Sequence, residues 1–396
     1  MPHASPRATV AVLGGAGAMG RAAVFDLARA GQRVLLLDSA RAAAERVARR
    51  YGRGRVTTAT ADAGDPASLA RRLRGAAVVI NCAPYRLNLP VMDAALRAGC
   101  HYIDLGGLFH MTRRQLALDR RFRRAGLLAV LGMGSAPGIV NVLARAAADP
   151  MRRVKSVRVY NGGADFTRYR SPLAFPFSPA TILDELTQEP MVFTAGRFRA
   201  VPPLSGAEPF RFDIGRQVVR YSLHSEVATV PLSYGEKGLR ECSFQIAYDP
   251  VILDRLRLLI ELGLADPRPG RWGVSPRAVL LDAFRRLPPP PDFVDDRDAL
   301  SVVVEGTDQR GPLIVRWDLT ATPQRDPPLS AVARNTGFPP AIVARMILGG
   351  GIAERGVLPP ERCVPVAPFL AALAERGLRA RVRRSRPKGY SGRSKR

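Results

Sequence analysis

A glycine-rich segment near the start of the chain has the residue types and spacing needed to bind the phosphates of a dinucleotide. Gly15, Gly17 and Gly20 form a G-x-G-x-x-G pattern in TVAVLGGAGAMG, between an apolar run and a segment with helical spacing. The first glycine permits a tight turn, the second lets the backbone approach a pyrophosphate, and the third lets a helix pack closely on the strand. The predicted phosphate-binding turn, including the first N–H groups of the helix, consists of Gly15, Ala16, Gly17, Ala18, Met19 and Gly20.

Asp38 has the position and charge needed to bind the ribose of the adenosine half. It ends the apolar run VLLLD, eighteen residues after Gly20, where a carboxylate accepts hydrogen bonds from both ribose hydroxyls. The same charge would repel a 2′-phosphate, so the sequence favours NAD over NADP. Arg41, three residues further on, is a residue type that pairs with a 2′-phosphate, so NADP stays open. A related fold that binds no dinucleotide is a further alternative.

Further candidates follow the other apolar runs. Asp62 is predicted to lie near the adenine, and Cys82 and Ala83 near the nicotinamide, because ligands bind where parallel strands end. Asp104 follows the next run and would flank the nicotinamide, as a base or as a cap of its loop. For Cys82, a small packing residue is favoured over a reactive thiol.

These residues need elements that bring them to one edge of a sheet. Residues 9–148 alternate apolar runs with segments of helical spacing. The predicted strands are Val10–Leu13, Val34–Leu37, Val56–Thr60, Ala77–Asn81, His101–Asp104 and Leu127–Leu131. The predicted helices are Ala18–Ala30, Ser39–Arg50, Pro66–Leu73, Leu89–Ala98 and Arg113–Ala125. Such alternation predicts an α/β fold with a doubly wound parallel sheet of the Rossmann type.

The pattern changes after the first domain. Residues 151–320 are rich in β-like runs with one amphipathic helix at Val251–Leu262, which predicts a second α+β domain with a mixed sheet. Two later helices are predicted at Ala341–Leu348 and Ala367–Arg376. The predicted divisions are a dinucleotide-binding domain (1–148), a substrate domain (149–330), C-terminal helices (331–376) and a disordered basic tail (377–396).

Composition argues against several classes of protein. The net charge is +26, from 60 basic and 34 acidic residues, and ten basic residues with no acid lie in 376–396. We interpret that tail as solvated chain, with loose binding to RNA, DNA or an anionic membrane as the alternative, and consider nucleic-acid binding elsewhere unlikely. No run suits a membrane span, and the 4 cysteines and 4 histidines lack the spacing of a disulfide framework or a metal site. A cytoplasmic location is expected.

Several stretches together resemble one known family. They are GGAGAMGRAAVFDLARAG, VINCAPYRLNLPVMDAALRAGCHYIDLGG, GMGSAPGIVNVLA, residues 177–212 and residues 337–365. In order and spacing, over most of residues 9–376, they resemble the saccharopine dehydrogenase family. The resemblance implies a Rossmann domain, a second domain that supplies the substrate pocket and dimer contacts, and C-terminal helices that pack back on the first domain. It also implies NAD(P)-dependent hydride transfer at a C–N bond of an amino acid such as lysine. Members of the family differ in substrate, so the substrate stays open.

The implied amine oxidation assigns roles to particular residues. A base must remove the ammonium proton, and His224 in RYSLHSEV is the first candidate, since its unperturbed pKa of about 6.5 suits the role. Tyr85 and Asp104 are the other catalytic candidates. The substrate-binding candidates are Asn88, Ser135, Asn141 and Arg168. A packing or surface role is the alternative for each of them.

Three functions therefore compete. The first is an NAD(P)-dependent oxidoreductase acting on a small amino acid or amine, as a homodimer. The second is a saccharopine-type reductase that joins an aldehyde to an amino acid with NADPH. The third is a non-catalytic protein that binds a dinucleotide. The identity of the cofactor and a screen of amines would separate them.

Overall fold

The structure, a computed structural model, describes residues 8–386 except Trp272 and alternates strands with helices along the chain. Its strands are β1 (Thr9–Leu13), β2 (Arg33–Asp38), β3 (Val56–Thr60), β4 (Ala76–Asn81), β5 (His101–Asp104), β6 (Leu128–Val130), β7 (Arg153–Asp165), β8 (Met191–Thr194), β9 (Arg197–Ala200), β10 (Glu208–Phe212), β11 (Gly215–Tyr221), β12 (Glu241–Ile246), β13 (Asp296–Asp308), β14 (Gly311–Ala321), β15 (Gly356–Leu358) and β16 (Ala380–Ser385). Its α-helices are α1 (Ala18–Arg29), α2 (Arg41–Tyr51), α3 (Pro66–Leu73), α4 (Asn88–Ala98), α5 (Leu108–Leu116), α6 (Asp119–Arg124), α7 (Ile139–Ala148), α8 (Pro179–Thr187), α9 (Glu226–Tyr234), α10 (Pro250–Glu261), α11 (Pro276–Arg285), α12 (Ala331–Leu348), α13 (Pro360–Cys363) and α14 (Val366–Ala374).

The first sheet is parallel throughout and confirms the predicted doubly wound fold. Its strand order is β15-β6-β5-β4-β1-β2-β3. The chain runs outward from β1 to β3, returns to β4 and runs outward on the other side. The carboxyl ends of β1 and β4 therefore border the crevice in which such folds bind their ligands. The six predicted strands are present, and the C-terminal part of the chain adds β15 beside β6.

One predicted helix is two helices in the structure. Arg113–Ala125 was expected to be continuous, but α5 ends at Leu116 and α6 begins at Asp119. The Asp119 carboxylate accepts the backbone N–H of Val357, in the edge strand β15, at 2.9 Å. The interruption of the helix therefore brings Asp119 to β15. This partner is far away in the sequence, and the local helical spacing gave no indication of the break.

The second sheet is mixed, as predicted. Its order is β10-β11-β12-β7-β13-β14-β16, with β8 and β9 attached beside β12. Its strands pair antiparallel except for β7 and β12, which run parallel. One buried cluster runs from Val10 and Val12 in the first sheet to Val159 and Val302 in the second, so the two sheets share a core.

Helix α12 begins ten residues earlier than the sequence predicted. The prediction started at Ala341 because two prolines precede it, yet Pro339 and Pro340 lie inside the helix. The start is fixed by Asp296, which accepts the N–H groups of Ala331 and Val332 at 2.6 and 3.1 Å. These long-range hydrogen bonds compensate for the unfavourable prolines.

Helix α12 also crosses α1 closely. A Cβ on Gly337 would lie 2.5 Å from the carbonyl oxygen of Met19, so a glycine is required at this contact. The C-terminal helices therefore pack on the helix that starts at the predicted cofactor turn.

The prediction of a disordered tail is wrong for its first part. Residues 380–385 form β16, which pairs antiparallel with β14 at the edge of the second sheet. Asp213, in the turn between β10 and β11, pairs with Arg381, and Arg386 donates to Asp308, the last residue of β13, at 2.6 Å, so these acids offset the basic side chains. The remainder of the predicted tail, residues 387–396, lies outside the described residues.

Three observations concern the described chain as a whole. None of the helices within residues 8–386 is both long and apolar enough to cross a membrane. No group of His, Cys, Asp or Glu side chains in the described part converges where it would hold a metal ion. The four cysteines are free thiols.

Candidate active site

The turn between β1 and α1 forms the floor of the cofactor site. A Cβ on Gly20 would lie 2.2 Å from the carbonyl oxygen of Gly14, and one on Gly15 would lie 2.6 Å from the side chain of Leu36. Gly17, by contrast, is exposed, and a Cβ there would meet only the Gly14 oxygen, at 3.3 Å. The two buried glycines are therefore needed for packing, and the exposed one leaves room for a close ligand.

The first turn of α1 is open to an anion. Gly17 occupies the N-cap position, and no side chain accepts the first N–H groups of this twelve-residue helix. Ala18 is exposed and Met19 is half-buried at the same end. Unpaired N–H groups and the positive end of the helix dipole together suit a pyrophosphate. The glycine cradle and the helix end thus fit the diphosphate of a dinucleotide.

Asp38 lies at the edge of this turn. Its carboxylate accepts the backbone N–H of Ala16 at 3.0 Å and that of Ala40 at 3.0 Å. Arg41, the alternative partner for a 2′-phosphate, donates to Glu45 at 2.9 Å. Asp38 is therefore fixed beside the phosphate-binding turn, where a ribose would meet it.

The remaining predicted cofactor residues lie at neighbouring strand ends. Asp62 is exposed and accepts the N–H of Gly64 at 2.7 Å. Cys82 follows β4, and its backbone touches the β1–α1 turn, while Ala83 donates its N–H to the side chain of Asn81. Burial raises the pKa of the Cys82 thiol to about 12. The thiol therefore stays protonated, as expected for a packing residue.

Asp104 and Asn88 lie inside the protein. Asp104 is 1% exposed and accepts hydrogen bonds from Gln115 at 2.6 Å and Gly132 at 2.7 Å. Asn88 is also 1% exposed and donates to the carbonyl oxygen of Gly106 at 3.0 Å. Both side chains support the loop that follows β5, and the roles of base for Asp104 and substrate ligand for Asn88 stay predictions.

Two other substrate candidates, whose role stays a prediction, have buried hydrogen-bond partners. Ser135 donates to Asp298 at 3.2 Å, deep between the sheets. Asn141 accepts the N–H of Gly138 at the start of α7 and donates to Glu361 at 2.8 Å. Their buried partners explain why these polar residues lie where they do.

Arg168 is exposed on the loop between β7 and α8 and does not line the cleft described below. In a protein so rich in arginine, its exposure corresponds to an ordinary surface residue. Its contact with substrate stays a prediction.

His224 lies beside the loop that follows β5. Its Nδ1 is 2.5 Å from a carboxylate oxygen of Glu226, and its ring stacks on Phe244 with centroids 3.7 Å apart. The next residue, Ser225, accepts the N–H of Gly107 at 3.1 Å and so attaches this segment to the first domain. The Nδ1 contact leaves Nε2 as the nitrogen that can exchange a proton with a ligand.

Electrostatics favour a charged imidazole at this position. Burial alone would lower the pKa of His224, but the charge of Glu226, the hydrogen bond to it and the charge of Glu185 outweigh burial and raise that pKa. Burial raises the pKa of Glu185 to about 7, although His224 and the hydroxyl of Tyr248 oppose the rise. Tyr248 donates to Glu185 at 2.6 Å. The second oxygen of Glu226 is buried and has no hydrogen-bond partner among the described residues.

Tyr85 is held across the cleft from this segment. Its hydroxyl donates to Asp184 at 2.8 Å, and Asp184 also receives hydrogen bonds from Arg86 and Arg277, both at 2.8 Å. Burial and the neighbouring Asp184 raise the pKa of Tyr85 to about 12, so it stays protonated near neutral pH. Tyr85 therefore serves as a hydrogen-bonding group and not as a base.

The cleft itself has a volume of about 310 Å³. Tyr85 and Arg86 line it from the loop after β4, Gly107 and Leu108 from the loop after β5, and Leu223 from the segment that carries His224. Of the predicted site residues, Tyr85 lines this cleft, and His224 directly follows the lining residue Leu223.

Four residues of this site were not among the site residues predicted from the sequence. Glu226 follows His224 by two positions, and Arg86 follows Tyr85 directly, so each could have been found as a charged neighbour of a candidate. Asp184 and Glu185 gave no such signal, because acids on a helix are usually solvated.

Two family models together match most of the chain. The one described as the saccharopine dehydrogenase NADP binding domain matches residues 10–130. The one described as the saccharopine dehydrogenase C-terminal domain matches residues 134–378.

Curated relatives and a solved structure agree with these matches. The chain is 25% identical over 363 residues to the carboxyaminopropylagmatine dehydrogenase of Synechocystis sp., with 87% of this chain and 89% of that protein covered. It is 25% identical over 323 residues to the carboxynorspermidine synthase of Vibrio cholerae, with 76% of each covered. The apo saccharopine dehydrogenase (L-Glu forming) from Saccharomyces cerevisiae has the same fold, with a TM-score of 0.71 and 18% identity over 96% of this chain and 100% of that one.

The matched models cover both sheets, the phosphate-binding turn and the segment of His224. The site is thus that of a protein that binds a nicotinamide dinucleotide, and the chain belongs to the saccharopine dehydrogenase family.

Proposed function

We propose that this protein is an NAD(P)-dependent oxidoreductase that transfers hydride at a C–N bond of an amino acid or a related amine. The observation that carries the proposal is the pair of His224 and Glu226, whose imidazole and carboxylate are 2.5 Å apart beside the loop that follows β5. Enzymes pair histidine with a buried carboxylate in this way to exchange protons during a reaction.

The pair suits the removal of a proton from an ammonium group. Nε2 of His224 accepts the proton, and Glu226 stabilises the imidazolium that results. The unpartnered oxygen of Glu226 offers an acceptor for a second N–H of the substrate or for water. Because His224 and Glu226 are buried, bulk water has little access to Nε2 of His224.

The dinucleotide, when bound, supplies the hydride acceptor or donor. Gly15, Gly17 and the first N–H groups of α1 would hold its pyrophosphate, and Asp38 its ribose. The proposal includes a preference for NAD, because the carboxylate of Asp38 opposes a 2′-phosphate.

The names of the relatives are consistent with chemistry at nitrogen. Carboxyaminopropylagmatine dehydrogenase and carboxynorspermidine synthase are each named for an amine that carries a carboxyl group. One is named a dehydrogenase and the other a synthase, and a single site runs a reversible reaction in either direction. Lysine is one amino acid among several that the proposal allows.

The test is oxidation of a panel of amines with NAD or NADP, followed by the absorbance of the reduced cofactor. The panel includes lysine, ornithine, saccharopine and carboxylated polyamines. His224→Gln is expected to lower kcat about a hundredfold or more without changing affinity for the reduced cofactor. His101→Gln is the matched control, since His101 accepts the N–H of Leu128 at the opposite end of β5. Full activity of His224→Gln, or no turnover with any amine in either direction, would contradict the proposal.

A further inference from the structure

The cleft is basic. Its polar side chains come from Tyr85, Arg86, His110, Arg114 and Gln188, and among the described residues that line it there is no carboxylate. A cavity with two guanidinium groups and no acid attracts an anion.

Arg86 is fixed by a buried acid and keeps donors for a ligand. Its Nη2 donates to both oxygens of Asp184, at 2.8 Å each, and its guanidinium lies 5.3 Å from the ring centroid of Tyr85. Arginine carries five N–H donors, so Nη1 and Nε have three left. Asp184 is 2% exposed and also binds Arg277, so a single carboxylate is shared by two cations. The group around Asp184 therefore carries a net positive charge.

Arg114 approaches the same space from α5. It follows His110 by one helical turn, so both residues face the cleft from one side of the helix. Arg113, the adjacent residue, points away, and its guanidinium lies 5.7 Å from the ring centroid of Phe198. The two neighbouring arginines thus have different environments.

We infer that this cleft binds a carboxylate on the substrate arm remote from the reacting nitrogen, and disfavours an arm that ends in an ammonium group. The inference rests on the proposed function for the position of that nitrogen. A carboxylate would receive charge-assisted hydrogen bonds from Arg86 and Arg114. An ammonium would face both cations, because the nearest acid, Asp184, is already paired with Arg86 and Arg277, and like charges at this range repel.

The surroundings of His224 and the lining of the cleft therefore carry opposite charge. Glu226 and Glu185 interact with His224, where the proposed function holds a cationic amine, and Arg86 and Arg114 line the cleft that Leu223 also borders. A substrate with one charge of each sign has a single favourable orientation in such a site.

Two probes of equal length and opposite charge test the inference. Glutarate and pentane-1,5-diamine are titrated by calorimetry into the full-length protein saturated with reduced cofactor. Glutarate is expected to bind at least tenfold more tightly than the diamine, and less tightly as salt is raised. Arg114→Met should weaken glutarate binding by about ten- to one-hundredfold, as expected for hydrogen bonds to a charged group. Arg113→Met, the matched control, should leave it within about twofold.

Arg86→Met should have a similar effect, and Arg86→Lys should recover part of the affinity because it keeps the charge. If Arg86→Met fails to fold, since it removes a partner of Asp184, the comparison of Arg114 with Arg113 still decides the question. Tighter binding of the diamine, no glutarate binding at millimolar concentration, or equal effects of the Arg113 and Arg114 variants would overturn the inference.

Failure of the inference can be told apart from failure of the proposed function. Binding is measured without turnover, so glutarate binding with no amine oxidised would refute only the proposed function. Oxidation of diamines in preference to amines with an acidic arm would refute only the inference.

Discussion

The charge on Asp38 should decide which dinucleotide the protein prefers. The matching family model is described as an NADP binding domain, whereas Asp38 lies where its carboxylate would meet a 2′-phosphate. Asp38→Asn keeps the shape of the side chain and removes the charge. The variant is expected to bind NAD more weakly and NADP more tightly than the natural protein.

The magnitude follows from the contacts of Asp38. Its two oxygens already accept the N–H groups of Ala16 and Ala40. In the Asp38→Asn variant, the side-chain amide would turn its NH2 group toward one of these N–H groups, and it would offer the ribose fewer acceptors. Loss of one hydrogen bond to a charged group costs about 1.5–3 kcal/mol, which is about ten- to one-hundredfold in Kd for NAD. Two unit charges about 5 Å apart repel by roughly 1–3 kcal/mol at effective dielectric constants between about 80 and 20. The ratio of the affinity for NAD to the affinity for NADP should therefore fall by about a hundredfold to ten-thousandfold on Asp38→Asn.

Fluorescence titration with NADH and NADPH measures both affinities without any substrate. Glu45→Gln is the matched control, since it removes one nearby negative charge from an exposed ion pair with Arg41 and should change either Kd by less than about threefold. Tighter binding of NADPH than NADH by the natural protein would refute the reasoning. An equal change in both affinities on Asp38→Asn would do so as well.

Two further predictions concern proton transfer and stability. Amine oxidation needs a neutral imidazole, so kcat/KM should rise with pH through the pKa of His224. Because Glu226 raises that pKa, Glu226→Gln should move the rise to lower pH. A pH profile that the substitution leaves unchanged would contradict the assignment of His224 as the base. Arg376 and Asp26 form a buried two-bond ion pair at 2.7 and 2.8 Å. Arg376→Met should lower the free energy of unfolding in urea by about 3–5 kcal/mol, whereas Arg29→Met, which removes the half-exposed second partner of Asp26, should cost less than about 1 kcal/mol.

The cofactor half of the site was predictable because its signals are local. Gly15, Gly17 and Gly20 lie within one turn, and Asp38 follows at the end of the next strand. Each position has a steric or electrostatic reason that holds for any chain with this alternation of strand and helix. The same locality made the strands of the first sheet predictable.

The substrate half was predicted poorly because its partners are distant in sequence. The hydrogen bond from Tyr85 to Asp184 joins residues 99 positions apart, and that from Gly107 to Ser225 joins residues 118 positions apart. The polar residues expected at the strand ends, such as Asn88, instead have buried partners that no local pattern reveals.

Helix α8 contacts both the lining of the cleft and the surroundings of His224. Consecutive residues of a helix point about 100° apart, so Asp184 and Glu185 face different neighbours. Asp184 holds Tyr85 and Arg86 from the first domain, while Glu185 lies near His224 and binds Tyr248 in the second. A shift of this single helix would change the lining of the cleft and the surroundings of the imidazole at once. Under the proposed function, the fold therefore couples the binding of the remote charge of a substrate to the orientation of the reacting nitrogen.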